Sequence, residues 1–590
     1  MSGMPDNREM MNERQLKLLR LKDARQVIET LNQDVTQYFA PWLGRYPGDD
    51  MKPDQLHGQR MDRILDSTTL EALEIAQNGM NSGLTPSSRP WYFMRYKDDG
   101  LNKFGKSRDW MDKLTAISYS VLRKSGFYQA MHASYGEVLL FANGCIAKNR
   151  YPTTGLRYKD LTFGEYWLSS SAGGKVDTLF RSRWMTARQI VDQFGENAAS
   201  AQVVGDLKKA PYNAYEIIHC VQPRKERVNG KNDPKHMPFE SIWWENMSAA
   251  ELSAQQSMAS TQAPHFLRES GFKSFPYYVP RWKVTGSDNY GGACPGIKQL
   301  GEAKYLQDLK ESMIIAVHKE LDPPVLADDS YRGLSIRTGA GGITYGDLST
   351  NPNMKKLQAL YEVKPNLQAG KMLMDDSKAA IKNGFFNNLF LTLLNLESQA
   401  DRVTAKQIAE MKAQGLLQLG PFIEHVTEDV FNDLILGVVE EILEFPEWYG
   451  LEPAPQDLQG KDFRDVTDIV YTSMLAQAQR EMGKSAIDEM LATVSANSTV
   501  WPDALDLVDV DSALRERAEL IGVPSKMMRS EDVVQAIRDR RAKELKQKEA
   551  MEQAQAGVEA ASKLANAPTD PQSPNALLNI AGMFSGGATQ

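Results

Sequence analysis

Tyr290-Gly-Gly-Ala-Cys-Pro-Gly-Ile-Lys-Gln-Leu-Gly-Glu-Ala-Lys-Tyr-Leu-Gln-Asp-Leu309 opens the stretch that decides the fold, which runs from Tyr290 to Leu419. Its glycines set a turn, and Pro295 suits a first helical position, where a missing N–H leaves no hydrogen bond unmade. From Ile297 to Leu321 the apolar residues Leu306, Leu309, Met313 and Val317 recur at helical spacing, with Lys304, Asp308 and Glu311 on the opposite face. Asp322-Pro-Pro ends that helix, because the residue before a proline is pushed out of the helical region. A second helical pattern spans Asn366 to Phe390, and along it Lys371, Asp375, Lys378 and Lys382 fall at four-three-four spacing, forming one narrow charged stripe. A third begins at Asp401, where Thr404 and Gln407 have the spacing of a capping box. Between the first two helices, Pro323 to Lys364 carries short strand-like runs and a Gly-rich turn around Ile336-Arg-Thr-Gly-Ala-Gly-Gly-Ile-Thr-Tyr. The pattern is two long helices enclosing a small exposed insert.

The remainder of the chain is too long for one hydrophobic core. At 590 residues it should divide into several units. With 42% hydrophobic and 24% charged residues it reads as globular rather than disordered or membrane-embedded. No apolar run reaches the length of a bilayer span, and the first residues lack a signal-peptide core, so a cytosolic place of synthesis and no membrane partner are expected. Cys145, Cys220 and Cys294 are widely separated and read as small buried thiols. The seven histidines show no metal-ligand spacing, so neither a metal nor a cofactor is expected. A net charge of -8 argues against a protein that coats nucleic acid by neutralising phosphates, yet it is compatible with a surface past which DNA must slide.

Taken in order, Met10 to Tyr38 reads as an amphipathic helix and Met61 to Asn81 as a second, followed by a strand at Trp91 to Tyr96 and a helix from Trp110 to Ser125. Strands are then expected at Glu137–Phe141, Leu156–Trp167, Thr178–Trp184, Tyr215–Gln222, Ser241–Trp244 and Tyr277–Trp282, with a short helix over Thr186–Phe194. This is an α+β body. Trp167, Trp184, Trp243 and Trp244 could offer stacking platforms for bases, but their place in strands favours core packing. Helices continue to Glu444, a strand is expected at Val466–Thr472, and further helices over Ser473–Ala496 and Asp511–Ile521. From Ser530 to about Ala565 the chain is rich in Ala, Glu, Gln, Lys and Arg, a helix of about 50 Å with a thin seam of Val534, Ile537, Leu545 and Met551. The run Arg538-Asp-Arg-Arg-Ala-Lys reads either as a DNA contact or, with its acidic neighbours, as a solvated face. Pro568, Pro571 and Pro574 mark a flexible tail.

The Tyr290-Gly turn with its long helix, followed downstream by Arg402-Val-Thr-Ala-Lys-Gln-Ile408, resembles the head-to-tail connector, or portal, proteins of short-tailed bacteriophages. Gln407 stands where members of that family often carry an acidic residue. The resemblance covers nearly the whole chain and implies an α+β ring subunit. Its parts would be a wing over 1–289, stem helices over 290–321 and 366–390, a clip over 322–365 and a channel loop over 391–403. The distal wing would follow at 404–472, a helical crown at 473–529, a barrel helix at 530–567 and a flexible tail at 568–590. It implies a homo-oligomeric, dodecameric ring at a capsid vertex through which viral DNA is packaged and ejected. The implied partners are the large terminase, tail adaptor proteins, scaffold and major capsid proteins, and double-stranded DNA held without sequence preference. Lys371, Lys378, Lys382 and Arg402 are then candidates to face that DNA, with Met372, Leu373 and Ala380 packing against the body or adjacent stems. The alternative places the lysines on the stem's outer side. Arg337, Thr338, Ile343, Thr344 and Tyr345 are candidates for clip docking.

Two other readings compete: a scaffold or adaptor protein that forms no ring, and a nucleotide-binding enzyme. The second rests on Gly100-Leu-Asn-Lys-Phe-Gly-Lys-Ser107, which matches the phosphate-binding pattern GxxxxGK[ST]. In such a loop Lys106 would reach the terminal phosphates and Ser107 a magnesium ion. Asp98 and Asp99, just before the first glycine, would repel a phosphate, and no downstream strand ends in a magnesium-binding Asp. The resemblance implies no nucleotide site and no catalysis in this chain, and a solvated turn is the plainer account. Lys106→Ala should therefore leave folding and assembly unchanged, and calorimetry should find no saturable ATP binding to the wild type; micromolar binding abolished by the substitution would reverse this.

Overall fold

The computed structural model describes residues 7–46, 63–98, 105–151, 154–225, 227, 233–246, 266–286, 288–321, 325–327, 357–359, 366–395, 418–455, 463–472, 490, 493–494, 509, 511–514 and 531–565. The chain divides into two units, one of Met1–Lys97 with Asp109–Gly522 and one of Asp98–Arg108 with Val523–Gln590.

In the first unit, helix α1 (Asn7–Phe39) is followed by α2 (Thr68–Leu84), strand β1 (Tyr92–Tyr96), α3 (Gly105–Lys124, which begins in the second unit) and α4 (Phe127–Phe141). A three-stranded sheet comes from β2 (Cys145–Tyr151), β3 (Gly155–Leu161) and a short β9 (Tyr277–Tyr278). A five-stranded sheet comes from β4 (Tyr166–Ser170), β5 (Val176–Thr186), β6 (Ala214–Pro223), β7 (Phe239–Glu245) and β8 (Arg268–Phe272), paired antiparallel in chain order. Between β5 and β6 lie α5 (Ala187–Phe194) and α6 (Ala201–Lys209). Successive side chains of a strand point to opposite faces, and this sheet is buried on both. Ile218, Cys220, Ile242 and Trp244 join Trp167, Phe180 and Leu18 of α1 in one cluster. Ile217, one residue out of step, joins Met185, Ile190 and Val203 in another. Helix α1 is held to the first face by a buried ion pair, Arg14 Nη2 donating to both carboxylate oxygens of Glu240 at 2.8 and 2.9 Å. Trp167 and Trp244 are thus core residues, while Trp243 stacks on His219 with ring centres 3.8 Å apart. All three cysteines are buried and free.

The expected strand at Glu137–Phe141 is instead the last part of α4. Residues Ser134 to Phe141 are all buried, so the one-sided apolar periodicity that identifies a helix is absent and a short apolar run reads equally as a strand. The single strand expected over Leu156–Trp167 is broken into β3 and β4, and Gly164 between them has φ +101°. A Cβ there would sit 1.6 Å from the Arg45 carbonyl oxygen, so only glycine lets the chain turn at that point. The second helix begins at Thr68 rather than near Met61. The short helix after β5 starts where expected, on a Thr186/Gln189 capping box. Strand β1 pairs antiparallel with β12 (Thr467–Tyr471), from Tyr92 opposite Tyr471 to Tyr96 opposite Thr467. Most of 473–529, where further helices were expected, lies outside the described residues, as do 251–262 and 568–590.

The second unit contains α11 (Glu531–Ala565), 35 residues long. Arg540 pairs with Glu544 at 3.2 Å, one turn on, as on a solvated helix face. No described helix is long and apolar enough to cross a membrane.

Glu137 supplies a test of the core. It accepts a hydrogen bond from the Phe163 N–H at 3.1 Å, yet full burial pushes its carboxyl up to about 8. A raised carboxyl pKa holds the proton in the native state while the unfolded chain releases it near 4.5. That group's contribution is therefore complete below about 4.5 and is lost as pH rises toward about 8. Glu137→Gln, an uncharged isostere that keeps the acceptor, should lose less thermal stability than the wild type between pH 5 and 8, and parallel melting curves for the two proteins across that range would refute the assignment.

Candidate channel and docking surface

The turn at Tyr290 delivers the chain into α7 (Pro295–Leu321), whose first half is seated in the body. Gly296 lies against the Leu140 backbone of α4, where a Cβ would come within 2.9 Å of its Cα, and the Cys294 thiol reaches the Leu140 carbonyl at 3.1 Å. Leu300, Ala303 and Leu306 are buried behind it. Lys304 pairs with Asp34 of α1 at 2.6 Å. Gln307, itself buried, accepts from the backbone N–H groups of Leu65 and Asp66 at 2.7 and 2.9 Å and donates to the Asp66 carbonyl at 3.0 Å. Beyond Gln307 the burial stops, and Ile314, Ile315 and Leu321 are exposed.

After α7 come β10 (Val325–Ala327) and β11 (Leu357–Ala359), which pair antiparallel and close the base of the insert. The residues between them, including Arg337, Thr338, Ile343, Thr344 and Tyr345, lie outside the described residues. The chain returns in α8 (Leu367–Gly384), capped by the Asn366 side chain, which accepts from the Ala369 N–H at 3.0 Å. Its buried seam is Gly370, Met374, Ser377 and Ile381. Gly370 meets Met313, and Gly384 meets Gln299, so α8 runs antiparallel to α7 with the glycines admitting the facing side chains. Phe385 is buried against Phe39, with ring centres 5.3 Å apart, and α9 (Asn387–Asn395) places Phe390 over Gly79 of α2. Arg402 and the rest of its motif lie outside the described residues.

The stripe on α8 is not uniform. Lys371, Asp375 and Lys382 are exposed, whereas Lys378 is half-buried and pairs with Asp66 at 2.8 Å. Burial alone would raise the Asp66 carboxyl, but Lys378 and the two hydrogen bonds from Thr68 more than offset it and hold it below the ordinary carboxylate range. The structure thus ties Lys378 back toward the body. On other faces Met372 and Leu373 are 65% and 47% exposed in the single chain, so of the two expected packings, against the body or against adjacent stems, the first is not seen for these two residues. Tyr305, Ile314 and Ile315 of α7 are exposed as well. The helix pair therefore has a charged flank and unfilled apolar positions. Sequence reasoning missed Asp66 and Gln307. An Asp-Ser-Thr run before a helix signals a cap, but nothing in the sequence points to a lysine more than three hundred residues later.

Behind this pair, the helical residues 418–426 pass through a π-helical turn at Thr427–Phe431 into α10 (Asn432–Glu444). Such a turn shifts the helix face by one residue, and here Asp429 bonds Arg281 at 2.9 and 3.1 Å. Lys106 is exposed and Ser107 buried at the start of α3. The strand before them, β1, has its only partner among the described residues in an antiparallel two-stranded sheet, whereas a phosphate-binding loop of the P-loop kind follows a strand of a parallel sheet. Among the described residues there is no cluster of potential metal ligands.

Residues 14–528 match the model of the family described as "Bacteriophage head to tail connecting protein". The chain is 31% identical over 574 residues to the portal protein of Salmonella phage epsilon15, covering 97% of this chain and 98% of the relative. It is 29% identical over 560 residues to the probable portal protein of Bordetella phage BPP-1, covering 94% and 95%. Among solved structures, a chain from the virion of a native gene transfer agent particle matches 74% of this chain and 89% of its own length. Its TM-score of 0.33 and 10% identity are too low to bear on the fold.

The glycines of the stem and its support divide by their surroundings. A Cβ at Gly79 would lie 2.3 to 2.6 Å from Phe390 ring and Cβ atoms, while one at Gly301 on α7 would meet nothing. Gly79→Ala should cost about 1–3 kcal/mol through overpacking. Gly301→Ala should stabilise by about 0.5–1 kcal/mol through helix propensity. Urea unfolding of both variants checks the contrast, and equal destabilisation would show that the space beside Gly301 is not free.

Proposed function

This chain belongs to the family of bacteriophage head to tail connecting proteins and works as a portal, and on that premise we propose that copies of it close into a dodecameric ring at the capsid vertex, through which double-stranded DNA is packaged and ejected. The observation that carries the ring is the α7/α8 pair. It is anchored at one end, closed by a strand pair at the other, and leaves Tyr305, Ile314, Ile315, Met372 and Leu373 unfilled in the single chain. Apolar side chains concentrated on one element are ordinarily covered by a partner, and in a closed ring the partner is the same pair of a neighbouring copy. Each copy then turns Lys371 and Lys382, with Asp375 between them, toward the axis. Repeated around the ring, they form tiers of charge that meet phosphates without reading sequence.

In this assembly residues 1–289 and 404–472 form the wing, 290–321 and 366–390 the stem, 322–365 the clip and 391–403 the channel loop. Residues 473–529 form the crown and 530–567 the barrel helix. The clip, with Arg337, Thr338, Ile343, Thr344 and Tyr345, is the surface for the large terminase during packaging and for tail adaptors afterwards. Scaffold and major capsid proteins meet the wing. Arg402 belongs to the channel loop. The energy of packaging comes from the terminase, and this chain supplies the conduit.

Negative-stain microscopy of the purified full chain should show twelvefold rings with a central opening; a stable monomer would sink the proposal. In particles carrying Lys371→Glu together with Lys382→Glu, rings should form normally while packaged DNA falls, and undiminished packaging would move the charged flank to the outside of the stem.

A further inference from the structure

The three stripe lysines do not have equal freedom, and the difference is built into the body. Lys378 lies about 20–40° around the α8 axis from Lys371 and Lys382, on the side toward the buried seam. A lysine there can reach either way, because its long stem lies along the helix surface while the ammonium seeks a partner. The partner it finds is fixed. Asp66 is 8% exposed and accepts from the Thr68 N–H at 3.1 Å and the Thr68 hydroxyl at 2.5 Å, while Gln307 bonds the Asp66 backbone on both its N–H and its carbonyl. The carboxylate cannot follow a moving stem, so the lysine must come to it.

We propose that Asp66 is a positioning residue for the channel. By holding the Lys378 ammonium at 2.8 Å it withdraws one of the three stripe cations of each subunit from DNA and makes the charge presented depend on how the stem is seated. The proposal rests on the reading of Lys371 and Lys382 as the DNA-facing pair. Removing the Asp66 charge frees Lys378 to join them. The channel then grips DNA more tightly, and the grip becomes more sensitive to salt, because each added phosphate contact steepens log K against log salt by about 0.9.

The test is duplex-DNA binding by the assembled full chain as a function of salt. Lys371→Gln and Lys382→Gln should each weaken binding and flatten the salt dependence, whereas Lys378→Gln should change neither. Asp66→Asn should tighten binding at low salt and steepen the slope, and Asp66→Asn with Lys378→Gln should return both to the wild-type values. If Asp66→Asn fails to fold, the three lysine variants still decide. Loss of affinity in Lys378→Gln equal to that in Lys371→Gln overturns this proposal while leaving the channel reading standing. If neither Lys371→Gln nor Lys382→Gln has any effect, the channel reading falls and this proposal with it.

Discussion

Gln307 uses both ends of its amide on one short piece of backbone, and the placement of the stem depends on that contact. Residues 65 and 66 precede α2 outside any helix or strand, and Gln307 satisfies both their N–H groups and the Asp66 carbonyl. The side chain acts as the missing strand. Because Gln307 sits where α7 leaves the body, those three bonds fix both the axial position and the rotation of the helix at its exit, and Lys304 with Asp34 fixes it from α1. Helix α8 then has little choice. It is paired antiparallel to α7 by glycines facing Met313 and Gln299, and it is held at mid-length by Lys378 on the same Asp66.

This seating explains why burial along α7 ends so abruptly. Up to Gln307 each turn of the helix contributes a side chain to the body, and beyond it no residue of α7 is buried. Isolated helices in water are marginal, and two together gain from one shared seam only. Gly370, Met374, Ser377 and Ile381 make a seam of small and medium side chains, which allows close approach but buries little apolar area. A stem so built leaves Met372 and Leu373 exposed in the single chain.

Much of this was legible in the sequence, for definable reasons. The stem helices and the strand pair β1 and β12 have one face in contact and one free, so their periodicity survives in the residue order. Where an element is buried all round the signal fails, as at Glu137–Phe141, which reads as a strand and is helix. The sheet's two faces are both covered, yet β6 and β7 were still recognisable because their β-branched and aromatic content carries information that periodicity does not. Asp66 and Gln307 were illegible for another cause. Their roles come from contacts between segments hundreds of residues apart, which a single sequence does not encode in any local pattern. The charged stripe was legible as a stripe, but the difference between Lys378 and its neighbours lies in the body beside it.

On the proposal that the stem lines a DNA channel, the same difference bears on how a net charge of -8 per chain is compatible with that contact. A surface that neutralised every phosphate it met would bind tightly and move slowly, since each step would exchange several ion pairs. A surface carrying the same negative sign as DNA would repel it. Lys371 and Lys382 are interrupted by Asp375 on the same flank, and Lys378 is occupied by Asp66, so each stem offers few cations and sets acid beside them. Contacts of that kind are individually weak and similar from one tier to the next. In the proposed channel, displacing DNA along the axis would break one set while making an equivalent set, which flattens the energy profile along the axis.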